Sequence, residues 1–137
     1  MRTALLILVT LAFCSMTEAA DLTGLWLTEP GKSKILITKT ATGYEGKIAW
    51  LKEPLDKKGN PKTDTNNVDK SLRSRQFFGL VTLTLTTNKN GKITGKVYSP
   101  DFGRTFDCQA YLRDDTHLVL KVCAGFISKE TVWTRQK

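Results

Sequence analysis

The polar segment between residues 64 and 75 holds the side chains best suited to bind a polar ligand. They are Asp64, Asn67, Asp69, Arg73 and Arg75. The start of the segment resembles a calcium loop, but Val68 stands where an oxygen ligand is needed and Arg75 replaces the bidentate glutamate. We therefore exclude calcium binding. Two interpretations remain: a structural clasp, in which arginines clamp Asp64 or Asp69 beside local Asx turns, or the polar mouth of a ligand site.

Residues with catalytic potential are scarce. His117 is the single histidine, and it lies in a predicted turn, where a solvated side chain is the usual role. No serine lies in a G-x-S-x-G sequence, the signature of one large class of hydrolases. One histidine and two cysteines are too few for the usual zinc ligand sets. We expect no enzymatic activity, no metal and no cofactor.

Two cysteines, Cys108 and Cys123, would remain in an exported chain, where a disulfide is the default expectation. A hairpin that pairs Arg113 with Leu118 places the two cysteines opposite each other. A register shifted by one residue aligns the apolar faces instead and separates them. A bulge near residues 124–125 would reconcile the two arrangements. We predict the disulfide.

The first 20 residues have the features of a secretory signal peptide. A basic start precedes an apolar run over residues 4–13, and residues 17–19 supply small side chains at the cleavage site. The run is shorter than the roughly 20 residues that a membrane-spanning helix needs. We expect an exported protein, periplasmic or secreted, without a transmembrane segment. Residues 21–137 would form its single domain.

The formal net charge of +8 favours anionic partners, such as lipid head groups, acidic polysaccharide or fatty-acid carboxylates. Export argues against nucleic acid as a partner. The basic residues are spread from residue 32 to residue 137 and form no tight block. A solvated basic surface is therefore the simpler explanation of the charge.

Strand patterns recur along the chain, whereas no segment shows a sustained helical period. In the clearest case Val81, Leu83 and Leu85 alternate with threonines, which is typical of a half-buried strand. The patterns cover residues 22–28, 34–40, 44–51, 78–87, 93–97, 105–113, 117–123 and 131–135. Eight strands in simple sequence order favour an all-β fold, an antiparallel up-and-down barrel. A β-sandwich is the alternative.

The two ends of this strand series carry signals for barrel closure. Gly24-Leu25-Trp26 lies on the first strand and Trp133-Thr134-Arg135 on the last. The combination resembles the seam of a lipocalin-like (calycin) barrel, in which first and last strands pair. Arg135 would then lie over the face of Trp26 as a cation–π contact. In the simpler alternative Gly24 is a strand bend and both tryptophans are ordinary core residues.

One connection interrupts the regular spacing. Residues 53–76 are polar and charged and include two prolines and a glycine. A connection of this length is unusual in a compact domain, where long loops often serve a function. We predict one helical turn over residues 72–76.

Six motifs in the chain occur together in a family of bacterial proteins. They are Gly24-Leu25-Trp26, Gly46 to Leu51, Asp64 to Arg75, Gly79-Leu80, Gly95 to Asp101 and Trp133-Thr134-Arg135. In this respect the chain resembles domain-of-unknown-function family 2147 from the first strand to the last. The resemblance implies a small exported protein with a lipocalin-like barrel and no established enzymatic activity. The polar motif departs from the family pattern because Val68 and Gln76 replace two prolines.

The leading hypothesis is a barrel that binds a small hydrophobic or amphipathic ligand, such as a fatty acid. Mouth cations would meet an acidic head group. The predicted interior side chains are Tyr44, Ile48, Trp50, Val81, Leu83, Val97 and Phe106. An eight-stranded barrel is only just wide enough for one small ligand. The alternative is an envelope protein-interaction module with a solid barrel, in which the connection at residues 53–76 contacts a partner.

Overall fold

β-Branched and apolar residues alternate with polar ones along most of the chain, and the resulting eight strands close into one barrel. The computed structural model describes residues 20–137. The strands are β1 (Gly24–Leu27), β2 (Ser33–Lys39), β3 (Gly43–Leu51), β4 (Val81–Thr87), β5 (Ile93–Ser99), β6 (Arg104–Asp114), β7 (His117–Ala124) and β8 (Ile127–Gln136). All neighbours are antiparallel, and β8 pairs with β1. The predicted up-and-down barrel is confirmed, and the sandwich alternative is wrong.

The predicted signal peptide, residues 1–20, lies almost entirely outside the described residues. Within residues 20–137 no helix is long and apolar enough to cross a membrane. A short 3₁₀ helix spans Lys70–Leu72, earlier than the turn predicted at residues 72–76. It begins there because the Asp69 side chain accepts a hydrogen bond from the Ser71 backbone amide.

The connections of the barrel alternate between its two ends. The end that we call closed carries the segment before β1 and the turns at residues 40–42, 88–92 and 115–116. The end that we call open carries the turns at residues 28–32, 100–103 and 125–126 and the connection of residues 52–80. The long connection and three of the turns therefore surround one mouth of the barrel.

Apolar side chains fill the barrel towards its closed end. Leu22, from the segment before β1, and Trp26 are completely buried. The Trp26 indole Nε1 donates to the Leu22 carbonyl (2.9 Å), and the Tyr44 hydroxyl donates to the Ala20 carbonyl (3.0 Å). These two bonds hold the segment before β1 beneath the barrel, so that this end is plugged by the chain itself.

Two β-bulges change which side chains face the interior. One lies between Lys34 and Ile35 in the β2–β3 pairing, and Trp50 opposite Lys34 is left 40% exposed. The other lies at Gly46 and Lys47 in the β3–β4 pairing, where Val81 is also 40% exposed. The prediction that Trp50 and Val81 face the interior is wrong, because an extra residue in one strand shifts its alternation.

The predicted disulfide is also wrong, since Cys108 and Cys123 are free. The β6–β7 register pairs Cys108 with Val122 and Asp107 with Cys123. Neighbouring strand positions point to opposite faces, so the two thiols lie on opposite sides of the sheet. The register follows the apolar faces, because Leu112 pairs with Leu118. Burial raises the pKa of the Cys108 thiol to about 11, and the nearby Asp107 adds to the shift.

The barrel seam contains the contact that the sequence predicts. Trp26 pairs with Arg135 across β1 and β8, and the guanidinium carbon lies 4.3 Å from the centre of the indole ring. Gly24 has a φ of +131°, and a Cβ there would come within 2.9 Å of Arg135 Nη1. The backbone conformation therefore favours glycine, and a larger residue would also displace the Arg135 guanidinium.

The Arg135 guanidinium also joins β8 to the segment before β1 and to the β6–β7 turn. Its Nη1 donates to the Thr23 carbonyl (2.6 Å), its Nε to the Asp115 carbonyl (2.7 Å) and its Nη2 to the Asp21 carbonyl (3.2 Å). Each bond uses a different nitrogen of the fork. Lysine cannot reproduce this arrangement, because its ammonium is a single point of charge.

We predict that Arg135→Ala lowers the free energy of unfolding by at least about 2 kcal/mol, since it removes the cation–π contact and charged hydrogen bonds. Arg135→Lys should recover only part of the loss. Arg113→Ala is the matched control, because Arg113 is exposed near the end of β6, and its effect should stay within about 0.5 kcal/mol. Urea denaturation measures all three. Equal small losses for both alanine variants would contradict the proposed role of the seam.

Candidate functional site

A cavity of about 440 Å³ opens at the open end and reaches into the barrel. Its apolar wall comes from four strands and the long connection: Ile35, Ile48, Leu51, Phe77, Val97 and Trp133. Ile35 and Ile48 are nearly fully buried, as is Trp133 on β8. The barrel is thus filled at one end and hollow at the other.

Thr82 is a buried polar residue in the cavity wall. Its side chain is only 6% exposed, and its Oγ1 has no hydrogen-bond partner among the described residues. The bulge in the β3–β4 pairing explains the position, because it turns Val81 outward and leaves Thr82 and Leu83 both buried. An unpaired buried hydroxyl costs free energy. A molecule in the cavity, water included, can supply the missing partner.

The rim of the cavity carries charges of both signs. Lys62 pairs with Glu53 at 3.4 Å, and Glu29 accepts a hydrogen bond from the Val132 amide (2.9 Å). Lys32 and Lys52 are held side by side, because the Lys52 amide donates to the Lys32 carbonyl (2.9 Å). Both lysines are exposed, and neither forms a salt bridge in the part of the chain described here.

The connection folds against the mouth through a buried carboxylate. Asp64 is fully buried. Its Oδ2 accepts hydrogen bonds from Asn67 Nδ2 (2.8 Å) and Arg75 Nε (2.9 Å), and its Oδ1 accepts from the Tyr98 hydroxyl of β5. The Arg75 guanidinium also lies 5.0 Å from the centre of the Tyr98 ring. These residues join both ends of the 64–75 segment to the barrel wall.

The electrostatics of this cluster stabilise the carboxylate. Burial alone would raise the pKa of Asp64, but hydrogen bonds from Tyr98, Asn67 and Arg75 outweigh it and hold the pKa below its ordinary value. Burial and the hydrogen bond to Asp64 raise the pKa of Tyr98 to about 12. The phenol therefore remains a proton donor to a charged partner throughout the neutral range.

The tip of the same segment is fastened to the β5–β6 turn. The Val68 amide donates to the Gly103 carbonyl (2.9 Å), and Asn66 Nδ2 donates to the Pro100 and Asp101 carbonyls (3.4 Å each). Gly103 has a φ of +68°, and a Cβ there would lie 1.7 Å from the Asn66 carbonyl oxygen. The backbones approach so closely that no other residue fits.

The polar cluster predicted from the sequence is assembled as a clasp. Arg75 binds Asp64, Arg73 Nε donates to the Asn67 carbonyl (2.8 Å), and Asp69 caps the 3₁₀ helix. The walls of the cavity contain none of these five predicted side chains. The cluster positions the neighbouring residues Lys62, Phe77 and Tyr98, which do line the cavity.

The predicted interior residues divide among several places. Ile48 and Val97 line the cavity, whereas Tyr44 and Leu83 belong to the filled core. Phe106 is half-buried and packs edge to face against Phe102, with ring centres 6.0 Å apart. The predicted interior set missed several residues of the cavity wall: Ile35, Leu51, Phe77, Thr82 and Trp133. Trp133 lies on β8 two residues before Arg135. Only the folded structure shows that its side chain lines the cavity.

Residues 24–135 match a family described as an uncharacterized protein conserved in bacteria, DUF2147. The chain belongs to this family. The predicted resemblance is thereby confirmed, and it covers every strand except the last residue of β8. The DUF2147 assignment carries no function with it, and no curated protein matches the chain.

A solved structure supports the architecture of this DUF2147 barrel. Protein HP1028 from the human pathogen Helicobacter pylori, described as a member of the lipocalin family, superimposes with a TM-score of 0.69. The match covers 86% of this chain and 84% of HP1028 at 20% sequence identity. At that identity the likeness shows a shared lipocalin-like fold.

We predict that Asp64→Asn destabilises the protein by up to about 3 kcal/mol at neutral pH, because it removes the negative charge that faces Arg75 and replaces one of the two acceptor oxygens with an NH2 donor. The contribution of Asp64 is present above its unfolded-state pKa, near 3.8, and is lost as the pH falls through the lower folded-state pKa. The variant should therefore lose less stability than the wild type on acidification. Asp69→Asn is the control, and we expect a smaller effect, since Asp69 is exposed. Thermal unfolding as a function of pH measures each difference; parallel pH profiles for wild type and Asp64→Asn would contradict the assignment.

Proposed function

We propose that this protein is an exported, non-enzymatic binding protein that carries one small hydrophobic or amphipathic molecule, such as a fatty acid, in the open half of its barrel. The observation that carries the proposal is the cavity of about 440 Å³ lined by Ile35, Ile48, Val97 and Trp133. Binding pockets for small molecules usually measure about 300–1,000 Å³ and have mostly apolar walls. Export is supported by the sequence pattern of residues 1–20.

The distribution of polar groups favours an amphipathic ligand over a purely apolar one. The buried side chains of the wall are apolar except for Thr82. The lysines Lys32 and Lys52 lie at the rim, together with acidic residues that include Glu29 and Asp101. A chain with an acidic head group would bury its apolar part and leave its charge beside these lysines. The filled closed end limits the ligand to half of the barrel.

The hollow open end also argues against the alternative of a solid protein-interaction module. Such a module has no need of a cavity that reaches the buried side chains Ile35 and Trp133. An empty apolar cavity forfeits packing contacts and therefore stability. A protein that keeps one is more simply explained by a ligand that occupies it.

We predict that Val97→Phe fills the cavity and weakens binding of a fluorescent fatty acid at least about ten-fold, a loss of about 1.4 kcal/mol. Val81→Phe is the matched control, since Val81 lies on the adjacent strand but faces outward. Energy transfer from the tryptophans to the probe, together with native mass spectrometry and lipid extraction of the purified protein, measures binding. An apo mass without probe binding, or unchanged binding by Val97→Phe, would refute the proposal.

A second prediction concerns the unpaired hydroxyl. Thr82→Val keeps the shape of the side chain and removes Oγ1, so the ligand-free protein should become more stable by about 1 kcal/mol or more. If a polar ligand atom uses the hydroxyl, the same variant binds that ligand more weakly. Thr84→Val, on the exposed face of β4, is the control. A destabilised Thr82→Val protein would mean that Oγ1 already has a partner.

A further inference from the structure

Large apolar side chains are concentrated at the open end. They lie on three segments around the cavity mouth, namely the connection, the β5–β6 turn and the β7–β8 turn, and are between 52% and 109% exposed: Leu55, Val68, Phe78, Phe102, Phe126 and Ile127. The described turns of the closed end, residues 40–42, 88–92 and 115–116, carry no large apolar side chain. Exposed apolar clusters of this kind usually mark a surface that binds a membrane or another protein.

The most exposed of these residues lie at a projecting tip. The last pair between β1 and β8 joins Leu27 to Thr134, whereas β7 and β8 remain paired as far as Ala124 and Ile127. The hairpin therefore continues beyond the end of β1. On one side β6 pairs with β7 as far as Cys123, and on the other Glu29 accepts a hydrogen bond from the Val132 amide. Phe126 at its tip is completely exposed.

The connection at the open end carries more basic than acidic side chains. The connection of residues 52–80 contains seven lysines and arginines but four aspartates and glutamates. Of these, Arg75 and Asp64 neutralise each other inside the clasp. Lys62 and Glu53 also pair with each other, which leaves five basic and two acidic groups on the connection, and the turns at residues 28–32 and 100–103 add one basic and two acidic groups. This excess, together with the net charge of +8, is complementary to an anionic surface.

We propose that the open end docks on an anionic lipid bilayer, with Phe126, Ile127 and the other exposed apolar side chains in the interfacial layer and the lysines against the head groups. Exposed apolar side chains on separate turns favour a fluid lipid interface, because each turn can insert into it independently of the others. A protein partner would need a matching depression for each of them. Basic residues near the surface add attraction to anionic lipid.

Docking in this orientation would set the cavity mouth against the bilayer. An amphipathic molecule would then pass between membrane and cavity without crossing water. This consequence rests on the proposed function, but the docking itself does not. The two can be separated, because Val97→Phe blocks the cavity and leaves the apolar tips unchanged.

The test is co-sedimentation of the purified protein with vesicles. We expect binding to vesicles of phosphatidylcholine and phosphatidylglycerol in equal amounts, weak binding to phosphatidylcholine alone, and release by salt. The double variant Phe126→Ser, Ile127→Ser should bind at least ten-fold more weakly. Tyr111→Ser is the matched control, since Tyr111 is exposed on the barrel wall, and it should bind normally, as should Val97→Phe.

Three results would overturn the proposal. The first is no binding to either vesicle, and the second is equal binding to both vesicles at low salt. The third is self-association of the wild type, seen in analytical ultracentrifugation and abolished by the double variant, which would make the tips an interface between copies of the chain. As a direct readout, the emission of Phe126→Trp should shift to the blue with anionic vesicles, and an unchanged spectrum would count against insertion.

Discussion

The closure of the barrel between β1 and β8 is the constraint on which the rest of the structure depends. Only four residues of β1 are available for that pairing, so Arg135 supplements the ladder by covering Trp26 and bonding to the carbonyls of Thr23 and Asp21. Closure removes the sheet edges that would otherwise be free to pair with other chains. It also positions the segment before β1 under the barrel, where Leu22 plugs the closed end.

Because the segment before β1 fills one end, the barrel has a packed half that stabilises the fold and a half that contains the cavity. In the filled half apolar side chains pack against one another, and the polar groups of Trp26 and Tyr44 have partners. In the hollow half the Thr82 hydroxyl has none among the described residues. Asp64, equally buried, is fully bonded inside the clasp. The hydrogen-bonded groups of the clasp fix the shape of the cavity mouth, and the unpaired Thr82 hydroxyl lies in the cavity wall.

Much of the fold was predictable because its signals are local. Period-two alternation located all eight strands, and the pairing of Trp26 with Arg135 followed from their positions on the first and last strands. Errors occurred where alternation is interrupted. Trp50 and Val81 were predicted inside, and bulges turn both outward. The register of β6 and β7 was decided by the apolar faces that Leu112 and Leu118 share, which overrode the expected pairing of Cys108 with Cys123.

The sequence by itself determined the strands, their antiparallel order and the residues of the seam and clasp, because periodicity and short-range spacing encode them. Only the tertiary structure decided that the clasp residues stay out of the cavity, that Thr82 enters its wall, and that the exposed apolar tips share one end. These features depend on the bulges and on which turns come together at each end of the barrel. They also depend on contacts between residues that are distant in the sequence, such as Gly103 and Asn66. A bulge changes the direction in which the following side chains point, but it leaves no mark in the residue composition of the strand. The local sequence pattern therefore does not reveal which face those residues occupy.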